Sequence, residues 1–302
     1  MSFSTSRPST ARIPGATLVL TGLLLGGGTA AQAQISTPQP SPKSTLMQRV
    51  GLTDVTVTYY RPSLRSRLGF GEAGGKGVVT YGQRWRTGAN SSTTIKFADD
   101  MMVEGQKVAA GEYGLYTIPG KNEWTVVLNK NTKAGANVDA FKDDENVASF
   151  KVKPMMLKDK VETFTIDLTD LTPATANVAM MWDQTAVKFK LMAEVEPKVM
   201  AQIDEKVLKN ASPSSGDLAA AAVYYLDNNK DLKQALTWMQ QANAKDPKFW
   251  NVLTEAKIRM KMKDYKGAVA AAEQSKKLAM DAKNMDYVKM NDELIAEAKK
   301  AK

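Results

Sequence analysis

Five arginines, Arg61, Arg65, Arg67, Arg84 and Arg86, fall within one short segment. Beyond residue 33 only two more occur, Arg49 and Arg259, and the remaining positive charge is carried by lysine. The choice has a chemical meaning. A guanidinium is planar and permanently charged, and it grips a carboxylate or phosphate through two parallel hydrogen bonds or stacks on an aromatic ring, whereas lysine suffices for a solvated surface. Between Arg61 and Arg86 the only acid is Glu72, so the segment should attract an anion. Tyr60, Tyr81 and Trp85 offer flat walls, Gly82 and Gly88 let backbone N–H groups approach a ligand, and Asn90 closes the stretch. The candidate ligand-binding set is therefore Tyr60, Arg61, Arg65, Arg67, Tyr81, Arg84, Trp85, Arg86 and Asn90, and the ligand expected is a small anion. A competing reading is purely architectural. There the arginines pair with Asp54, Asp99, Asp100 or Glu112 of neighbouring strands, Trp85 belongs to the core, and Asn90 caps a turn.

Other chemistry is narrowed by absences. The chain has no histidine and no cysteine. That removes Ser-His-Asp and Cys-His nucleophile systems, ordinary zinc sites, disulfides, and a general base poised near neutral pH without heavy tuning, so any catalysis would rest on carboxylates, Lys, Tyr or Ser. Asp99-Asp100 and Asp143-Asp144-Glu145 are adjacent carboxylates, and neighbours on a strand point to opposite faces, so a general acid/base pair would need convergence from separate segments. Asp227-Asn228-Asn229-Lys230-Asp231 copies the start of a calcium loop, but Leu232 stands where glycine is required and Trp238 where the bidentate glutamate belongs. That stretch reads as a turn between helices, with Asp231 capping the second. No catalytic residue, metal site or cofactor is assigned. The net charge of +9 is spread thinly and forms no concentrated basic face, which argues against nucleic acid.

The arginine segment must be positioned by β-structure. From residue 45 to 196 apolar residues alternate: Val55, Val57 and Tyr59 with Thr56 and Thr58, and Phe164, Ile166 and Leu168 with Thr165 and Asp167. Val178, Met180 and Trp182, then Asp183-Gln184, then Val187, Phe189 and Leu191 read as a hairpin with one buried face. Many short strands of this kind predict an antiparallel sandwich or barrel. From residue 200 to 302 the period becomes helical. Leu218, Ala221, Ala222 and Tyr225 are followed by Leu232, Ala235, Leu236, Met239 and Ala242, and a second pair of runs repeats the spacing, with Ala256 34 residues after Ala222. This two-helix period and its small residues resemble tetratricopeptide repeats, closed by a terminal helix over Asp286–Lys299. The resemblance implies a surface that docks a protein partner.

The N-terminus has the form of a secretory signal. Arg7 and Arg12 precede the apolar run Ala16–Leu25, and Ala31-Gln32-Ala33 makes a small-x-small cleavage pattern. Residues 1–33 are therefore expected to be removed near Ala33. Residues 34–44 are expected to be a disordered Ser/Pro/Gln tether, and the product a soluble periplasmic protein with no membrane-spanning segment.

Within the β region, Tyr60-Arg61-Pro62-Ser63, Arg65, Arg67, Tyr81-Gly82 and Trp85-Arg86-Thr87-Gly88-Ala89-Asn90 precede Ala110-Gly111-Glu112-Tyr113, Ile118-Pro119 and Glu123-Trp124-Thr125-Val126. Together they resemble the bacterial family catalogued as domain of unknown function 2911, over about residues 46–191. Residues 69–80 are longer and richer in glycine than that family's usual connection, and Thr80 and Ala109 stand where it has proline. The resemblance implies export, a β-rich domain and often a tetratricopeptide-like tail, and it brings no activity with it. The expected function is that of an exported, non-catalytic binding or scaffold protein. Its rivals are a carbohydrate-binding or carbohydrate-cleaving sandwich using Trp85 and Trp124 as stacking platforms, and a structural envelope module without a small ligand.

Overall fold

The computed structural model describes residues 37–301. The expected signal segment and the start of the expected tether lie outside the described residues. Twelve strands come first: β1 (Lys43–Val50), β2 (Thr53–Tyr60), β3 (Leu68–Gly71), β4 (Gly77–Thr80), β5 (Thr93–Phe97), β6 (Met101–Val103), β7 (Gln106–Val108), β8 (Gly111–Ile118), β9 (Trp124–Asn129), β10 (Asn146–Val152), β11 (Met155–Thr169) and β12 (Thr175–Ala193). Six helices follow: α1 (Val195–Ile203), α2 (Ser215–Asp227), α3 (Leu232–Lys245), α4 (Phe249–Lys261), α5 (Tyr265–Asp281) and α6 (Met285–Lys300). The protein is thus an antiparallel β-sheet domain followed by an all-α region.

Two antiparallel sheets form the β domain, ordered β1-β2-β5-β8-β9-β10 and β11-β12-β6-β7. Along β2, Val55, Val57 and Tyr59 are buried while the residues between them are only partly covered, the period of two that one buried face imposes. Val57, Ile95, Leu115 and Leu128 of the larger sheet share one core with Val178, Val187 and Leu191 of β12. Truncating such a fully buried side chain costs about 2–5 kcal/mol, so this shared core, more than any polar contact, fixes the two sheets together. A pair of short parallel strands, β3 and β4, carries Phe70 and Val79 into the same core. A Cβ at Gly77 would sit 2.3 Å from the Gly71 amide nitrogen, so the glycine-rich segment is what lets these backbones meet.

Two expectations are corrected. The first strand starts inside the expected tether: Lys43 and Ser44 already pair with Tyr60 and Tyr59, and Arg61 donates its backbone N–H to Pro42 O at 3.0 Å. The expected hairpin over residues 178–191 is instead one continuous strand, β12. Asp183 has the left-handed backbone (φ 54°) that a turn would need. Here, however, it marks a bend where the register of β11 against β12 shifts, and its carboxylate accepts the Gly69 N–H at 2.8 Å.

The helices follow from their caps and small residues. Ser214, Asp231, Asp264 and Asn284 each accept an N–H of the first turn that follows, a contact worth about 1 kcal/mol per helix. Ala222, Ala235, Ala256 and Ala268 are fully buried where helices touch. The stretch at 227–231 is the α2–α3 turn, with Asp231 capping α3 as expected. Gly51, in the β1–β2 turn with φ 58°, lies so near α1 that a Cβ there would come 2.6 Å from Val195 Cγ2. Lys198 of α1 adds an ion pair to Asp99 at 2.6 Å. No helix among the described residues is long and apolar enough to cross a membrane.

Candidate functional site

The five arginines do different things. Arg61 donates to Phe164 O at 3.1 Å and Thr165 Oγ1 at 2.8 Å, fastening the end of β2 to β11. Arg65 has a left-handed backbone (φ 51°), its N–H is accepted by Glu162 at 2.7 Å, and its exposed guanidinium reaches Pro40 O at 3.4 Å. Arg67 folds back on its own turn, donating to Leu64 O at 2.8 Å and Ser63 O at 3.1 Å. Arg84 donates to Phe141 O at 2.6 Å, pairs with Asp143, and lies 5.4 Å from the centre of the Tyr116 ring. The carboxylate of Asp143 is held below its ordinary range, first by the hydrogen bond from Arg84. Neither Asp54, Asp99, Asp100 nor Glu112 pairs with any of the five. Asp54 pairs with Arg49, Asp99 with Lys198 and Asp100 with Lys107.

Arg86 is the exception. Among the described residues it makes no ion pair and no side-chain hydrogen bond, and its Nε is buried without a partner. Burial lowers its pKa from the ordinary arginine value, which still leaves it charged at neutral pH. The backbone around it is held firmly. Trp85 and Thr117 exchange N–H···O bonds of 2.8 and 2.9 Å, the Trp85 indole N–H is accepted by Gly88 O at 3.0 Å, and Thr93 donates its hydroxyl to Thr87 O at 2.6 Å. Gly88 approaches β2 so closely that a Cβ would lie 2.8 Å from Tyr60 O.

A pocket of about 320 Å³ opens here, lined by Thr80, Gln83, Arg84, Trp85, Arg86 and Trp182 together with small apolar residues. No Asp or Glu lines it. Its inner wall is the edge of an aromatic cluster in which Trp85 stacks on Trp182, with centroids 5.8 Å apart and planes inclined 13°, and Phe70, Trp124 and Phe164 pack edge-on. Of the nine residues expected at the site, the fold brings Arg84, Trp85 and Arg86 to this pocket. Tyr60, Arg61, Arg65, Arg67, Tyr81 and Asn90 do not line it. Tyr81 stacks on Phe70, and Asn90 donates to Ser41 O at 3.1 Å. Sequence reasoning missed Trp182 and Thr80. The first lies nearly 100 residues away, and its only signal is its place on the inward face of an alternating strand.

A family model matches residues 41–191, which is half the chain, from the segment that Asn90 holds to Leu191 near the end of β12. The chain belongs to the family described as Protein of unknown function (DUF2911). No curated protein and no solved structure matches it. Every residue lining the Arg86 pocket falls inside the DUF2911 segment, and α1–α6 lie beyond it.

Proposed function

We propose that the β domain is a binding module that captures a small organic anion at Arg86 and releases it unchanged. The observation that carries this reading is a guanidinium partly withdrawn from water with no counter-charge of its own. An unpaired buried charge is costly, and an incoming carboxylate or phosphate repays that cost through charge-assisted hydrogen bonds. The pocket is small, apolar on one wall, and has Thr80 and Gln83 among its lining residues. That composition favours a compact acid with an apolar body. The lining carboxylates that proton transfer to a sugar would need are lacking, which supports recognition over turnover. The four other arginines of the segment are architectural in this reading, because protein oxygens already accept from them.

The test is thermal unfolding of the full chain against apolar monocarboxylates, sugar acids, phosphates and neutral glycans. Arg86→Met is the site variant and Arg65→Met the control on an exposed arginine. At about 100 times its dissociation constant a ligand adds roughly 2.7 kcal/mol, a shift of a few degrees. The expected result is a shift with an anion that disappears in Arg86→Met and persists in Arg65→Met. A neutral glycan that stabilises both variants equally would replace this reading with the carbohydrate one. Export belongs to the same proposal. The sequence over Arg7–Ala33 supports cleavage near Ala33 and a periplasmic product, and fractionation with N-terminal sequencing of the mature chain checks it.

A further inference from the structure

A second cavity, of about 1180 Å³, runs between the end of β12, α1 and the facing surfaces of α2 and α4. It exceeds the size usual for small-molecule sites, which suits it to a polypeptide. Three exposed apolar side chains, Met192, Val223 and Trp250, line it. Trp250 is 45% exposed, whereas Trp85, Trp124, Trp182 and Trp238 are all buried. The charges of the groove have one sign. Glu194, Glu196 and Asp227 line it and no Lys or Arg does, although the chain as a whole carries +9. The flanking cations are already committed, Lys198 to Asp99 and Lys230 to Glu196. Glu194 and Asp227 have no side-chain hydrogen bond or ion pair among the described residues.

We propose that this groove docks a segment of a partner protein that is apolar on one side and bears Lys or Arg beside it. Apolar burial against Met192, Val223 and Trp250 supplies the affinity, and Glu194 and Asp227 select for cationic neighbours. An anionic lipid surface has the wrong sign for such walls. The site is independent of Arg86 and stands or falls separately from it.

Because Trp250 is the exposed tryptophan, its emission and its quenching by acrylamide report occupancy directly. The full chain is titrated with a synthetic Leu/Lys amphipathic peptide, a Leu/Glu counterpart, a Ser/Lys counterpart, and phosphatidylcholine vesicles containing phosphatidylserine. The Leu/Lys peptide alone should shift Trp250 to the blue and shield it, with an affinity that falls as salt is raised. Glu194→Gln combined with Asp227→Asn should weaken it roughly fivefold, both residues being exposed. Val223→Ser should weaken it by a similar factor, and if that variant melts early the carboxylate pair alone carries the test. Equal binding of the Leu/Glu or Ser/Lys peptide, or a response to vesicles, overturns the proposal. So does absence of any response, or a blue shift produced by protein concentration alone with a dimer in sedimentation, which would make the occupant a second copy of this chain.

Discussion

Arg259 and Arg86 are each partly withdrawn from water, one between α4 and α5 and one in the β domain, and the fold treats them in opposite ways. Arg259 donates to Glu255 Oε1 at 3.0 and 2.9 Å and to Asp264 Oδ2 at 2.6 Å. Burial alone would lower its pKa, but the hydrogen bonds to Asp264 and Glu255 outweigh that and leave it raised. Arg86 is also desolvated by burial, with nothing to oppose it, and its pKa is lowered. The difference teaches that arginine content is a poor guide to function and that counter-charge is a good one. A structural guanidinium comes with its acceptors, whereas one without acceptors carries an uncompensated desolvation cost in the free protein.

The comparison can be broken by substitution, and Arg259→Met should give the largest effect. It removes three hydrogen bonds and leaves Glu255, whose side chain is only 13% exposed, with the Asn243 amide as its remaining partner, so it should destabilise the chain by about 2–3 kcal/mol in urea unfolding. A loss below about 0.5 kcal/mol would mean that pairing is not what separates the two arginines. Arg84→Met should fall between, at about 1 kcal/mol, since it gives up a carbonyl bond and an exposed ion pair. Arg86→Met should stay within about 0.5 kcal/mol of the parent, or gain slightly, because replacing an unpaired charge with an apolar chain of similar length is neutral to favourable. A large loss at Arg86 would make it one more architectural arginine and remove the support for the anion site.

The regular parts of the molecule were legible because local rules decide them. The alternation along β2 and the small residues Ala222, Ala235, Ala256 and Ala268 announced a sheet face and paired helices before any contact was known. The family resemblance was legible too, in runs such as Trp85-Arg86-Thr87-Gly88, and the matched span agrees with it. Pairing was not legible. Whether Arg61 meets water or Phe164 O depends on how β11 returns past β2, about 100 residues later, and nothing near Arg61 encodes that. Asp183-Gln184 misled for a related reason. A left-handed residue serves equally in a turn and in a bend within a long strand, and only the partner strand chooses between them. Arg86 looked like its four neighbours in sequence and differs from them only in what the folded chain fails to offer it.

The smallest effect expected is in acid, and it separates the two arginines by the presence or absence of pH dependence as well as by size. Asp264 is held below the ordinary 3.8, first by the Gly267 N–H and then by Arg259, so it is more acidic in the folded chain than in the unfolded one. A carboxylate shifted in that direction stabilises fully above its unfolded pKa and loses the contribution as pH falls through the folded value. The penalty of Arg259→Met should therefore be constant from pH 7 to about 4 and shrink below that as Asp264 takes up a proton. The difference between parent and Arg86→Met should stay flat over the same range, because no carboxylate pairs with that guanidinium. Urea unfolding of the three proteins from pH 7 to 3 measures both curves. If the Arg86→Met difference also shrinks in acid, an acidic group of the protein is already serving Arg86 in solution, and the pocket is not waiting for an external anion.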